Sequence, residues 1–314
     1  MQRVASLIHL DTARKLHLTG KNIGIAILDT GIGVHPDLTL QNSRLAAFVD
    51  IVNHRHDFYD DNGHGTHIAG IISGNGAASH GRYRGIAPES HFVMIKVLNQ
   101  KGEGNIEDVL SGIRWLITHY KEYNIRIVNI SVGSSRGKYI DENSPLVRGV
   151  EALWEKGLVV LTAAGNHGPS PQSIGAPGNS RKIITVGASD VLQSRTGRDY
   201  SGRGPTHNCI KKPDIVAPGS NIISCQPVQI SPFVNMYGDS FNHLPVNRLY
   251  QSRSGTSMST PVVSGCIALL LQQRPYLSNR EIKLHLKNTA ADLGYDHSRQ
   301  GWGMIQLDRL LYHA

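Results

Sequence analysis

Apolar residues follow two alternating rhythms along this chain. Short runs rich in Val and Ile, barely interrupted by polar residues, occupy positions 23–28, 46–49, 92–98, 125–130, 158–162, 183–186 and 214–216. Runs of this length and β-branched content read as strands, and nearly continuous apolar character suits a strand covered on both faces. Between them, residues 64–73, 106–120 and 145–156 repeat apolar positions at helical spacing. Strands that alternate with helices predict an α/β fold, a parallel sheet sandwiched between helices in three layers, α/β/α.

Residues 257–273 read as a helix that is apolar almost all round, which belongs in the middle of a domain. Pro275 ends it, and Ser278 followed three positions later by Glu281 is a capping-box signal for the next helix. From 220 to 253 the rhythm is lost, and Phe233, Tyr237, Phe241 and Tyr250 are scattered through the stretch. Aperiodic segments of that length inside a compact domain are usually functional or mobile. With no repeat and no Pro/Ser-rich linker, residues 1–314 read as a single domain with an insertion-like loop at about 220–253.

Composition narrows this picture. At 18% charged residues and with abundant aliphatics the chain is not a disordered one, and 33 glycines favour tight turns and close backbone approaches. The net charge is +8, but Lys and Arg are dispersed, with Arg181-Lys182 and Lys211-Lys212 as the densest groups. A solvated basic surface accounts for this better than nucleic-acid binding. Cys209, Cys225 and Cys266 are odd in number and far apart, so they suggest neither a disulfide framework nor a CxxC metal site. No apolar run reaches the length of a membrane span. The first twenty residues lack the h-region and cleavage site of a signal peptide. Together with free cysteines this favours a cytoplasmic location, the alternative being the mature fragment of a longer secreted precursor.

Four polar residues carry candidate chemistry. Asp29 ends the apolar run AILD and is followed by Thr30-Gly31, at the kind of strand end where catalytic groups of α/β sheets gather. His64 lies between Gly63 and Gly65 at a helix start. Its spacing to His67 is not that of the HExxH zinc pair, and the Glu is missing. Ser257 opens the long apolar helix, where a developing negative charge would be favoured. Asn166 follows a strand in AAGN. Singly, each has an ordinary role: a turn Asp, a packed His, an N-capping Ser, a turn Asn.

Together, the motifs AILDTGI, GHGTHIAG, AAGN and SGTSMSTP resemble those of the subtilisin-like serine peptidases (subtilases, peptidase family S8), from about residue 19 to about residue 307. The order Asp…His…Ser is the order of the subtilisin triad itself, so the assignment matches a known arrangement. The resemblance implies a doubly wound, mostly parallel central sheet with helices on both faces. It implies a serine endopeptidase working through an acyl-enzyme, with Asp29, His64 and Ser257 as catalytic residues and with Asn166 and the Ser257 N–H as the oxyanion hole. Gly102, Glu103 and Gly104 would form one wall of the substrate cleft and Ser131, Val132 and Gly133 the other, pairing with an extended peptide. Ala163, Ala164, Gly165 and Gly175 would complete an uncharged S1 pocket suited to large apolar or aromatic P1 residues. Asp60 and Asp61 could attract a basic P2 residue, and the 220–253 segment is expected to border the cleft. No cofactor is needed for the chemistry, but a structural Ca²⁺ could be held at Asp37 and Asn75, although the loop 74–84 carries no acidic side chain. Polypeptides are the implied partners, with neither nucleic acid nor membrane. Two alternatives stand beside this reading: a non-catalytic regulatory member of the fold, and a transpeptidase or cyclase using the same acyl-enzyme.

Overall fold

The computed structural model describes residues 1–40, 42–131, 144–193, 199–228 and 245–313. Its elements are α1 (Gln2–Leu7), α2 (Asp11–Lys15), β1 (Gly24–Asp29), β2 (Leu45–Asp50), α3 (His64–Ser73), β3 (His91–Lys96), α4 (Ile106–His119), β4 (Ile125–Ile130), α5 (Pro145–Glu155), β5 (Val159–Ala163), β6 (Ile184–Ala188), α6 (Asp190–Gln193), β7 (Ile215–Ala217), β8 (Ile222–Cys225), β9 (Tyr250–Arg253), α7 (Thr256–Gln273), α8 (Asn279–Thr289), α9 (His297–Gln300) and α10 (Leu307–Tyr312). Strands β1 to β7 form one sheet in the order β2-β3-β1-β4-β5-β6-β7. All of its pairings are parallel. Helices α3 and α7 pack on one face, α4 and α5 on the other. This is the expected three-layer, doubly wound α/β/α architecture.

Strands β1, β5, β6 and β7 are buried at every position, which explains their unbroken apolar runs. Helix α7 lies almost wholly inside the protein, so it carries no polar stripe. The Ser278–Glu281 capping box starts α8 as its spacing indicates. Outside the periodicity lay the short helices α1, α2, α6, α9 and α10 and the pairing of both ends of the aperiodic segment. Residues Ile222–Cys225 and Tyr250–Arg253 form an antiparallel ribbon against α3, so 220–253 is not loop throughout. Phe233, Tyr237 and Phe241 lie outside the described residues.

The strand order reverses at β1, an interior strand, and Asp29 is its last residue. Ligand sites of open α/β sheets form at such switch points, beyond the carboxyl ends of the strands. All three cysteines are free. No helix among the described residues is long and apolar enough to cross a membrane.

Candidate active site

Asp29 and His64 meet because two backbones can touch. A Cβ on Gly65 would lie 2.2 Å from the Gly31 carbonyl oxygen, so only glycine lets the first turn of α3 rest on the turn after β1. His64 Nδ1–H then donates to Asp29 Oδ1 at 2.7 Å, and the same oxygen accepts Thr30 N–H at 2.7 Å. The Asp29 carboxylate is fully buried, whereas 19% of the His64 side chain remains exposed. Burial opposes the charged ring, but the Asp29 charge and hydrogen bond outweigh it, and the His64 pKa is raised above the ordinary histidine value. Arg253 opposes that rise and Asp60 adds to it.

The loop before α3 is held by side chains that the periodicity does not reveal. Asp60 accepts from the Thr30 hydroxyl (2.8 Å), from the N–H groups of Gly63 (2.7 Å) and Thr66 (2.9 Å), and from the Thr66 hydroxyl (2.6 Å). Asp61 pairs at 2.7 Å with Lys96, which is fully buried and also donates to the carbonyls of Thr30 (2.6 Å) and Leu98 (2.9 Å). Lys96 is the register partner of Asp29 across the sheet. Both acids are therefore engaged in holding the His64 loop. The signal in the sequence was a lysine inside the apolar run FVMIKVL.

Ser257 is the second residue of α7. Pro261 has no N–H to bond the Ser257 carbonyl one turn back. That carbonyl accepts instead from Ser131 Oγ at 3.1 Å, while Ser257 Oγ donates to the Ser131 carbonyl at 2.8 Å. The hydroxyl thus faces the Ser131 wall in this conformer, and its hydrogen bond goes there rather than to His64. The Ser257 N–H, in the first helical turn, has no intrahelical acceptor. Asn166 is exposed on the turn after β5. Its Oδ1 accepts from Thr256 N–H (2.9 Å) and Thr256 Oγ1 (3.2 Å), which fixes the amide orientation and leaves the NH₂ as a donor beside Gly255.

The cleft residues are distributed unevenly. Ser131 touches the Ser257 turn, and Val132 and Gly133 lie outside the described residues. Gly102–Gly104 form an exposed turn rather than a strand. The Glu103 N–H and C=O are both engaged by Asn99, and Gly104 is the one of the three whose N–H and C=O make no hydrogen bond among the described residues. Ala163 ends β5, Ala164 N–H donates to Val186, and Gly165 N–H donates to Thr256 Oγ1 at 3.1 Å. Gly175 is half-buried before the Ala176–Pro177 turn, with no hydrogen bond to these groups.

The residues proposed for calcium do not fit the ion. Asp37 is buried; its Oδ1 accepts from Ala78 N–H at 2.9 Å and its Oδ2 from the Tyr250 hydroxyl at 2.6 Å. Asn75 Oδ1 caps the turn at Ala77 (2.8 Å), and the carbonyls of residues 74–76 accept from Gly85, Arg84 and Gly81. His35 and Cys225 lie with Asp37 in a cluster whose ligand atoms are all within 4.8 Å. His35 Nε2–H donates to the Leu249 carbonyl (2.8 Å), and its Nδ1 accepts from Asp37 N–H (3.0 Å). Burial and the Asp37 charge push the Cys225 thiol well up, away from the thiolate a metal needs. The cluster is a closed hydrogen-bond network.

The chain is similar to known proteins over most of its length. The Subtilase family matches residues 20–303, most of the chain. Serine protease AprX of Bacillus subtilis (strain 168) is 46% identical over 86% of the chain, which spans 62% of that protein's length. Minor extracellular protease Epr of the same strain is 32% identical over 95% of the chain and 40% of its own length. Among solved structures, Sphericase superposes with a TM-score of 0.72 at 29% identity, covering 92% of each chain. The chain belongs to the subtilase family and is a serine endopeptidase, a class whose substrates are polypeptides. The cytoplasmic location expected from the first twenty residues and the free cysteines is corrected here, because a relative aligned over nearly the whole chain is named as extracellular. Free thiols place no physical constraint on where a folded domain works.

Proposed function

We propose that the whole chain acts as one peptidase domain that hydrolyses peptide bonds through an acyl-enzyme, with Ser257 as nucleophile, His64 as general base and Asp29 as its orienting acid. The observation that carries this reading is the 2.7 Å Asp29–His64 bond at the end of β1, with Ser257 at the mouth of α7. The Asp29 bond takes the Nδ1–H and so leaves Nε2 of the neutral ring as the proton acceptor. This mechanism requires Ser257 Oγ to leave the Ser131 carbonyl and meet that nitrogen. Oγ attacks the scissile carbonyl carbon, its proton passes to His64 Nε2, and the carbonyl oxygen becomes an oxyanion. Asn166 Nδ2–H and the Ser257 N–H are the donors available to it. Collapse of the intermediate breaks the C–N bond as His64 returns the proton to the leaving amine. Water activated by the same ring then hydrolyses the ester.

The small, uncharged residues Ser131, Ala163, Ala164 and Gly165 support a preference for large apolar or aromatic P1 side chains. Gly104 is the cleft residue with backbone groups open to an extended substrate. A serine-directed fluorophosphonate should label Ser257, and Ser257→Ala should remove both labelling and hydrolysis while leaving the fold unchanged. Hydrolysis retained in that variant would refute the assignment.

A further inference from the structure

The basic residues that look dispersed along the chain converge at the end of the sheet opposite the candidate active site. Arg181 and Lys182 lie just before β6, whereas Asp29 ends β1 and Asn166 follows the end of β5. Two neighbouring concavities share Arg181 and Lys182. One, of about 480 Å³, is also lined by Arg148, Glu151 and Asn179; the other, of about 370 Å³, by Arg280, Lys283, Leu284, Lys287 and Trp302. Six cations therefore line the two concavities, against three acids: Glu151 and Glu155, which pair with Lys182, Glu155 also reaching Arg280, and Asp214, which pairs with Lys283.

Lys283 is held in place: its ammonium donates to the carbonyls of Arg181, Lys182 and Ile183, each at 2.9 Å, and lies 6.0 Å from the Trp302 ring. It braces the groove floor. Arg280 reaches Glu155 only at 3.9 Å, and Arg181 and Lys287 are exposed with no ion pair among the described residues, so gathering these like charges is unfavourable without a partner. Leu284, 55% exposed, and Trp302 add an apolar strip beside them. Asn179 is buried in the groove wall, and neither atom of its side-chain amide has a hydrogen-bond partner. An amide with a donor and an acceptor both unsatisfied is complementary to another amide, which a polypeptide supplies and a phosphate polymer does not.

We propose that this groove is a docking surface for an acidic polypeptide segment that also carries apolar side chains, and that it is distinct from the substrate cleft. Cations meet the segment's carboxylates, Leu284 and Trp302 meet its apolar residues, and Asn179, whose amide atoms are buried, turns into the groove to pair with its backbone. Because the groove is at the opposite end of the sheet, occupancy leaves the cleft open.

The test uses the full chain as Ser257→Ala, a fluorescein-labelled 16-residue Glu/Leu-rich peptide, and fluorescence anisotropy at two salt concentrations. The peptide is expected to bind, to weaken as salt rises, and to lose at least tenfold in affinity with the surface pair Arg280→Glu and Lys287→Glu. Asn179→Ala should weaken it several-fold without changing the response to salt. Prior labelling of wild-type protein by the fluorophosphonate should not displace it. Equal binding by the charge-reversed variant, or displacement by the active-site label, overturns the proposal. So does tighter binding of inorganic polyphosphate than of the peptide with no effect of Asn179→Ala, which would make the groove a general polyanion site. Circular dichroism and the melting temperature of each variant separate lost binding from lost fold.

Discussion

Two of the aspartate–histidine assemblies among the described residues differ in what they leave open. Asp29 holds one nitrogen of His64, and the ring keeps 19% of its surface exposed. Asp37 lies beside His35, but both of its carboxylate oxygens and both ring nitrogens are already bonded inside the protein. The pKa directions follow. The Asp29 charge overcomes burial and raises His64, whereas burial dominates at His35 and lowers it, with Asp37 opposing. The same residue types thus make a poised acid–base pair where one face stays open, and a structural tie where none does.

The sharpest way to break this comparison is to neutralise each acid in turn. Asp29→Asn should reduce kcat by about 10⁴-fold, the loss seen when the acid of a serine-protease triad is so changed, by favouring the wrong ring tautomer. Asp37→Asn should leave kcat within about threefold but cost about 2–3 kcal/mol in urea unfolding, since charged hydrogen bonds are lost from a buried site. Comparable kcat losses in both variants would erase the distinction.

A smaller effect is expected from Asn166→Ala, which removes one oxyanion donor. In subtilisin that loss costs about 10²–10³ in turnover, and a similar fall in kcat at little-changed KM is the expectation here. A fall confined to KM would place Asn166 in ground-state binding.

Acidity separates activity from stability. Hydrolysis requires neutral His64, so kcat/KM should fall as pH drops through its raised pKa. The stability carried by the charged Asp29–His64 pair runs the other way. It is complete below the ordinary histidine pKa of about 6.5 and is lost as pH rises through the raised folded value. His67, one turn along α3, has its pKa pushed down to about 3, by burial first and then by Arg253 and His64. Its Nε2–H donates to the carbonyls of Ile222 (3.0 Å) and Gln251 (3.2 Å), tying α3 to the β8–β9 ribbon. Its contribution is present above the ordinary pKa and is lost as pH falls from there towards 3. Urea midpoints across pH 3–9 for His67→Gln against the parent check that sign.

The smallest effects concern the Asp37 cluster. Tyr250→Phe should cost about 1–2 kcal/mol by removing one hydrogen bond, with kcat unchanged. Because the oxygens of residues 74–76 and Asp37 are engaged internally, the melting temperature should be the same in EDTA and in millimolar Ca²⁺. A clear rise with Ca²⁺ would show that the ion displaces these bonds.

Much of this molecule could be read directly from residue order. Seven β-branched runs became the seven parallel strands with ends shifted by a residue or two, because a strand buried on both faces has no freedom to be polar. His64–Ser73 and the capped start of α8 appeared as expected, since local spacing and capping chemistry determine them. Asp29, His64, Asn166 and Ser257 stood out because each lies in a glycine-containing or helix-starting motif.

The role of an acid, by contrast, depends on what reaches it from elsewhere. Asp37 is closed by Tyr250, 213 positions away, and Asp61 is paired with Lys96 across 35 positions. Arg181 and Lys182 meet Arg280 and Lys287 only because α8 folds back beside the start of β6. Local order determined the strands, the helix starts and the identities of the candidate catalytic groups, because spacing and capping act over a few residues. The tertiary structure alone decided which carboxylates stay open and where positive charge accumulates, because pairing and burial are set by distance in space.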